Sequence, residues 1–381
     1  MIIQSQRVWI QQHFIAAQIH IENHRIIKLS KYNEYPVDVD YGHHRLLPGF
    51  IDQHIHGAYG FDTNDANEEG LKTIMKGLVS EGVTSFCPTT VTQHPIVLSN
   101  ALKNVAHVAS QSIKGAQIVG IHLEGPFINV TYKGAQPQEH IIKANVDLFQ
   151  SLYHDSNQLI KLITMATELD QDYRLLQWCV DHGVTVSIGH SASTYDETVL
   201  ACANGASCIT HTFNGMSGIH HRNYNLAGAT HRLHEVYAEI IGDGNHVVWP
   251  AIHSLMMAKG PYHSILISDA LSVKGSPQGE YTLGGQKIEV RANGSAYIQG
   301  TNTLSGSTLK MNEGLRNLIE YAQVPINYAI NAATLNPANN LKLTNKGRIA
   351  YGCDADLVVL DDNYSVVATY VLGQQVYTKG N

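Results

Sequence analysis

Two histidines one residue apart, His54 and His56, close an apolar run at residues 46–57, LLPGFIDQHIHG. In an extended strand residues i and i+2 point to one side, so both imidazoles can aim at a single point, and that pairing suits a metal ion. In a chain with 22 histidines the pair alone is weak evidence. Five further polar residues give it weight: Glu124, His190, His211, His246 and Asp269. Histidine and glutamate together suit zinc or ferrous iron, and the Asp269 carboxylate can bind metal or carry protons. A divalent ion lowers the pKa of water to about 7 and polarises a carbonyl, so such a set supports hydrolysis.

These residues have to be brought together by the elements that carry them. After residues 46–57, predicted strands follow at 82–89 (GVTSFCPT), 118–127 (IVGIHLEGPF), 159–166 (LIKLITMA), 184–190 (VTVSIGH), 207–214 (SCITHTFN), 238–247 (AEIIGDGNHV) and 264–270 (SILISDA). Helical periods lie between them. Residues 68–80 place Leu71, Ile74, Met75, Leu78 and Val79 on one face, and the helices DYRLLQWCVDHG and TYDETVLACANG each end in glycine. Eight strands alternating with helices predict a closed parallel barrel, whose active face lies at the C-terminal ends of its strands. The seven polar residues come from six of the eight strands and all fall at or just beyond those ends, so they converge on one cavity.

Outside the repeat, residues 2–45 read as short strands and turns without a helical period. Residues 274–300, rich in glycine, read as a β-hairpin excursion, 304–322 as an amphipathic helix, and about 325–335 as a second helix. The C-terminal segments KGRIAYGCDADLVVLD and YSVVATYVLGQQVYT return to short strands. The predicted fold is α/β: a (β/α)8 TIM-like barrel over residues 47–340, with a small β-sandwich domain built from both termini, residues 1–46 and 341–381.

Composition agrees with a buried globular body: 381 residues, 44% hydrophobic and 15% charged. A net charge of -7 provides no overall attraction for nucleic acid or an anionic membrane, so an anionic ligand needs a local cationic cluster. The N-terminus lacks the pattern of a signal peptide, and no run approaches the ~18 apolar residues of a membrane span. Cys87, Cys179, Cys202, Cys208 and Cys353 form an odd set without a C-x-x-C pair, as expected of reduced, mostly buried thiols in a cytoplasm.

The run PGFIDQHIHG, with its His-x-His ending strand one and an aspartate ending strand eight, resembles the amidohydrolase superfamily. HLEGPFIN (122–129), GHS (189–191), THTFNGM (210–216), DGNHV (243–247), SDA (268–270), GEYTLGG (279–285), LSGSTLKM (304–311) and NPANNLKLTNKGRIAYGCDADLVVLD (336–361) narrow the resemblance to its N-acetylglucosamine-6-phosphate deacetylase family. The resemblance spans nearly the whole chain, and HLEGPF is its most specific element. It implies that Glu124, His190 and His211 hold the main ion, and that His54 and His56 match members able to hold a second, with Glu124 bridging. One or two divalent ions per subunit, zinc or iron, are thus implied. Asp269 would take the proton of the attacking water and deliver it to the leaving amine. His246 and Gln136 would face the sugar, and Asn214 and the Gly215 backbone the phosphate; Leu304, Ser305 and Gly306 complete the substrate-binding set. Arg222 matches a phosphate-binding arginine that reaches across a dimer interface.

The implied activity is a cytoplasmic deacetylase of amino-sugar catabolism, a homodimer acting on a small amino-sugar phosphate, with no nucleic-acid or membrane partner. Two departures bear on the sugar. YKGAQP puts Gln136 where the family usually carries histidine, and HHRNYNLAGA has Asn223, Tyr224 and Asn225 where it usually continues with an acidic residue, proline and glycine. N-acetylgalactosamine 6-phosphate, or another N-acyl substrate, is therefore the alternative.

Overall fold

Gly49 divides residues 46–57 between two sheets. In the computed structural model, which describes residues 1–283 and 286–380, Arg45–Pro48 lies in a sheet of terminal strands and Phe50–Ile55 is the first barrel strand. The amide of Gly49 donates to Asp356 O (2.9 Å) and that of Phe50 to Gly82 O (3.0 Å), so consecutive residues bond into different layers. A Cβ at Gly49 would come within 2.2 Å of the Thr84 side chain, so only glycine allows this crossing. The single strand expected over 46–57 is therefore two. Both halves are buried, and a uniformly apolar run carries no sign of a change of sheet.

The barrel strands are Phe50–Ile55, Val83–Thr90, Ile121–Glu124, Ile160–Met165, Thr185–Ile188, Cys208–Ile209, Tyr237–Ile241 and Ser264–Ile267, each parallel to its neighbour. Strands eight and one meet through backbone bonds just past the last strand. Asp269 N–H donates to His54 O (2.9 Å), and the amides of His56 and Gly57 donate to Ala270 O (2.9 and 3.0 Å). Closure of the barrel thereby sets His54, His56 and Asp269 side by side. Several strands stop earlier than their apolar runs suggest, because the chain turns at the polar residue: φ is +47° at His190, +26° at His211 and +47° at Asp269.

The helices bury the faces their periodicity marks. In Glu68–Leu78, whose first turn is capped by the Asn67 side chain accepting from Gly70 N–H (2.8 Å), Leu71, Ile74, Met75 and Leu78 pack with Phe50, Val83 and Phe86. Each such side chain contributes about 1.5–3 kcal/mol by leaving water. Tyr195–Ala203 starts with a capping box between Thr194 and Glu197.

Strands from both ends of the chain form one sheet, in the order Gln374–Thr378, Val366–Val371, Leu357–Leu360, Arg45–Pro48, Ile2–Ile10, His13–Glu22, Arg25–Lys31, with Val39–Asp40 on Ile2–Ile10. Its own core includes Ile3, Ile19, Ile26, Leu46, Val359 and Tyr370.

The excursion after strand eight is a four-stranded antiparallel sheet, Gly279–Leu283, Gln286–Val290, Ala296–Ile298 and Leu304–Gly306. Gly284 and Gly285 of the GEYTLGG motif lie outside the described residues. The helix expected over 304–322 begins only at Met311 and runs to Glu320. Its first residues pair with Ala296 and Tyr297 instead, where Gly306 at φ +134° packs against Leu271 and Asp269 O. The second helix runs over Ile326–Ala333 and is followed by Leu335–Asn340. Among the described residues no helix is long and apolar enough to cross a membrane.

Candidate active site

Glu124, the last residue of the third barrel strand, stands between two groups of side chains. On one side its Oε1 lies 3.2 Å from His190 Nε2 and 3.2 Å from His211 Nε2, which are 3.1 Å from each other. On the other, His54 and His56 hold their Nε2 atoms 3.4 Å apart, and Asp269 Oδ1 lies 3.4 and 3.2 Å from them. Glu124 reaches that group as well, with Oε1 3.5 Å from His54 Nε2 and Oε2 3.3 Å from His56 Nε2. All six side chains are buried.

The outer hydrogen bonds set the tautomers. His190 Nδ1 lies 2.8 Å from Tyr132 O and His211 Nδ1 3.0 Å from Asn214 O. A carbonyl only accepts, so the proton sits on Nδ1 and each Nε2 presents a lone pair inward. Two such lone pairs and a Glu124 oxygen face one another at contact distance, an arrangement that repels itself without a cation between. This donor set fits a divalent ion, which Glu124, His190 and His211 would hold. His54, His56 and Asp269 form a second group of the same kind.

Electrostatics point the same way. Burial works against the charged form of each group. For Glu124 burial is outweighed by His54 and His190, which hold its carboxyl well below the ordinary range; for Asp269 it is outweighed by His54 and His56. Against burial, Asp269, Glu124 and Glu239 raise His54 to about 9, and Asp269 and Glu124 hold His56 well above its usual value. The cluster of carboxylates thus demands positive charge, which a bound cation supplies in place of protons.

A cavity of about 280 Å³ opens above these residues. Of the substrate-binding set expected from sequence, Gln136, Asn214, Gly215, His246, Leu304, Ser305 and Gly306 line it, beside Thr303, Val91 and Leu271. His246 is held by Asp243, whose Oδ2 lies 2.6 Å from its Nδ1. Gln136 is tied on both sides: its Nε2 donates to Glu124 Oε2 (2.6 Å) and its Oε1 accepts from Thr92 N–H (2.8 Å). Arg222 lies elsewhere, on an exposed loop with its Nη1 2.6 Å from His221 Nε2. Among the described residues no lysine or arginine lines this cavity.

Two residues escaped the sequence reading. His122 lies under the site with its ring 4.5 Å from that of His54 and its Nε2 2.8 Å from Thr164 Oγ1; burial holds its pKa well below the usual value, so it is neutral. Glu239 lies 3.0 Å from His54 Nδ1. Its signal was present as a lone carboxylate inside the apolar run AEIIG.

Residues 45–376 match the Amidohydrolase family, and an N-acetylglucosamine-6-phosphate deacetylase of Bacillus subtilis is 39% identical over 334 residues, 86% of this chain and 83% of that protein. The chain belongs to the N-acetylglucosamine-6-phosphate deacetylase family of amidohydrolases. The human deacetylase is 37% identical over 89% of this chain and 85% of its own length. Among solved structures, the deacetylase of Mycobacterium smegmatis in complex with N-acetyl-D-glucosamine-6-phosphate superposes with a TM-score of 0.94 at 29% identity, covering 99% of both chains. That of Thermotoga maritima gives 0.90 at 30% identity and full coverage of both. As an amidohydrolase the chain is a metal-dependent hydrolase, and the two donor groups around Glu124 are where its metal is expected.

Proposed function

We propose that this chain removes acetate from N-acetylglucosamine 6-phosphate, leaving glucosamine 6-phosphate, within amino-sugar catabolism in the cytoplasm. The observation that carries the reading is the shared carboxylate: Glu124 lies within 3.5 Å of the Nε2 atoms of His54, His56, His190 and His211 at the floor of a cavity sized for a small ligand. Glu124, His190 and His211 would hold the main divalent ion, zinc or iron, and His54 and His56 would serve a second. Such an ion lowers the pKa of water from 15.7 to about 7 and polarises the acetamide carbonyl.

The chain's own residues do the rest. Asp269 directs Oδ1 at His54 and His56, which leaves Oδ2 to take the proton of the attacking water and return it to the leaving amine. His246, with Nδ1 on Asp243, offers Nε2 to a sugar hydroxyl. Gln136 keeps Glu124 in place and presents its amide edge to the sugar. Asn214 and the Gly215 backbone receive the phosphate, and the 304–306 strand covers the ring. A phosphate in a cavity without a lysine or arginine needs a cation from outside. Exposed Arg222 supplies it to the partner of a homodimer.

The test is acetate release from N-acetylglucosamine 6-phosphate by the purified protein, beside N-acetylgalactosamine 6-phosphate, before and after chelation and re-addition of zinc or iron. Metal-dependent release from the glucosamine compound is expected. Preference for the galactosamine epimer, or release that survives chelation, overturns the assignment.

A further inference from the structure

Glu239, in the strand Tyr237–Ile241, is a fully buried acid that the proposed reaction does not use. Its Oε1 accepts from Gln53 Nε2 (2.6 Å), and its Oε2 from His54 Nδ1 (3.0 Å) and the His211 amide (3.2 Å). The oxygen of Gln53 is itself taken by Asn340 Nδ2 (3.0 Å), so that amide turns only its NH2 toward Glu239. Surrounded by donors on both oxygens, Glu239 is a carboxylate. Glu124, Asp269 and Glu239 thus gather three negative charges around His54. One divalent ion balances two of them.

We propose that Glu239 is the positioning residue that makes His54, His56 and Asp269 a working second ion position. It keeps the His54 proton on Nδ1, so that the Nε2 lone pair faces His56 and Asp269, and it adds the charge that a second cation balances. The arrangement is a carboxylate–histidine pair behind a metal ligand, with Gln53 and Asn340 bracing the carboxylate from the barrel interior. The proposal rests on the metal-dependent reading above.

The test strips the full-length protein of metal and titrates wild type, Glu239→Gln and Glu239→Asp with zinc, reading bound zinc per chain and stepwise affinity by calorimetry, with acetate release measured in parallel. Wild type is expected to bind two ions. Glu239→Gln, isosteric but uncharged, keeps the first at wild-type affinity and weakens the second by about 10- to 100-fold. Glu239→Asp keeps the charge but withdraws it by roughly one methylene, and recovers most of the second-ion affinity. The inference is overturned if wild type binds a single ion, if Glu239→Gln binds the second as wild type does, or if it weakens both ions equally. Should Glu239→Gln fail to fold, Glu239→Ala, which removes the carboxylate altogether, decides: a second-ion affinity indistinguishable from wild type overturns the proposal, and a selective loss of the second ion supports it. Two ions bound without acetate release would refute the proposed reaction and leave this inference standing.

Discussion

Gln136 bridges Thr92 and Glu124, and its geometry makes a quantitative prediction. A residue that merely faced the sugar could be cut back with little effect on the empty protein. In Gln136→Leu, however, the buried Thr92 N–H loses its acceptor, at about 1–3 kcal/mol, and Glu124 loses a charge-assisted bond worth about 1.5–3 kcal/mol. The leucine side chain recovers part of this through its apolar surface, which leaves a net loss of about 3 kcal/mol. With an unfolding entropy of about 2.1 cal/mol/K per residue, 381 residues give roughly 0.8 kcal/mol/K, so the Tm should fall by about 4 °C. Scanning calorimetry of metal-free wild type and variant at one scan rate measures it. Gln136→Glu should do worse, since it sets a second carboxylate against Glu124 Oε2. A leucine variant within 1 °C of wild type on this ~4 °C scale would refute the claim that Gln136 holds Glu124, and return it to a substrate contact alone.

Three further outcomes are expected. Asp269→Asn should lower kcat for acetate release by about 10²–10⁴-fold with KM little changed; a drop of less than tenfold removes Asp269 as proton carrier. Arg222→Ala should raise KM for the phosphorylated sugar far more than for its dephosphorylated form, and an equal effect on both would sink its phosphate role. The third concerns Lys259, whose buried ammonium donates to Leu233 O (2.6 Å) and is lowered by burial to about 8. Between pH 8 and 10.5 the unfolded chain holds more protons at this site than the folded one, so its stability contribution improves as pH rises through that window, and below pH 8 the full penalty applies. At about 1.4 kcal/mol per tenfold change in proton affinity the penalty is on the order of 3 kcal/mol, so Lys259→Met should be the more stable protein at pH 7, with the advantage vanishing near pH 10.5 in denaturant titrations. A constant difference across that range contradicts the assignment.

Much of this site was legible because a barrel puts its chemistry where apolar runs end. His54, His56, Glu124, His190, His211 and Asp269 each stand at such an end, and the six side chains meet as their positions imply. What escaped the reading has physical causes. The crossing at Gly49 is invisible because both flanking strands are buried, and residues 304–306 share apolar spacing with the helix that follows them. Glu239 escaped because it stands inside a strand, where periodicity marks burial and gives no partner. Strand lengths were overestimated at His190 and His211, where a left-handed backbone ends the strand before the functional residue; hydropathy carries no information on φ.

The bonds between Asp269 and His54, and between His56 and Ala270, have a consequence for how the enzyme is made. During synthesis His54 and His56 leave the ribosome long before Asp269 does, so the group they form with it is complete only once the first and last strands have met. Until they do, His54 and His56 lack their aspartate, while Glu124, His190 and His211, from strands three, five and six, do not depend on that seam. The seam thus ties the two events together, because the Asp269 carboxylate arrives beside His54 and His56 with the same backbone bonds that shut the barrel.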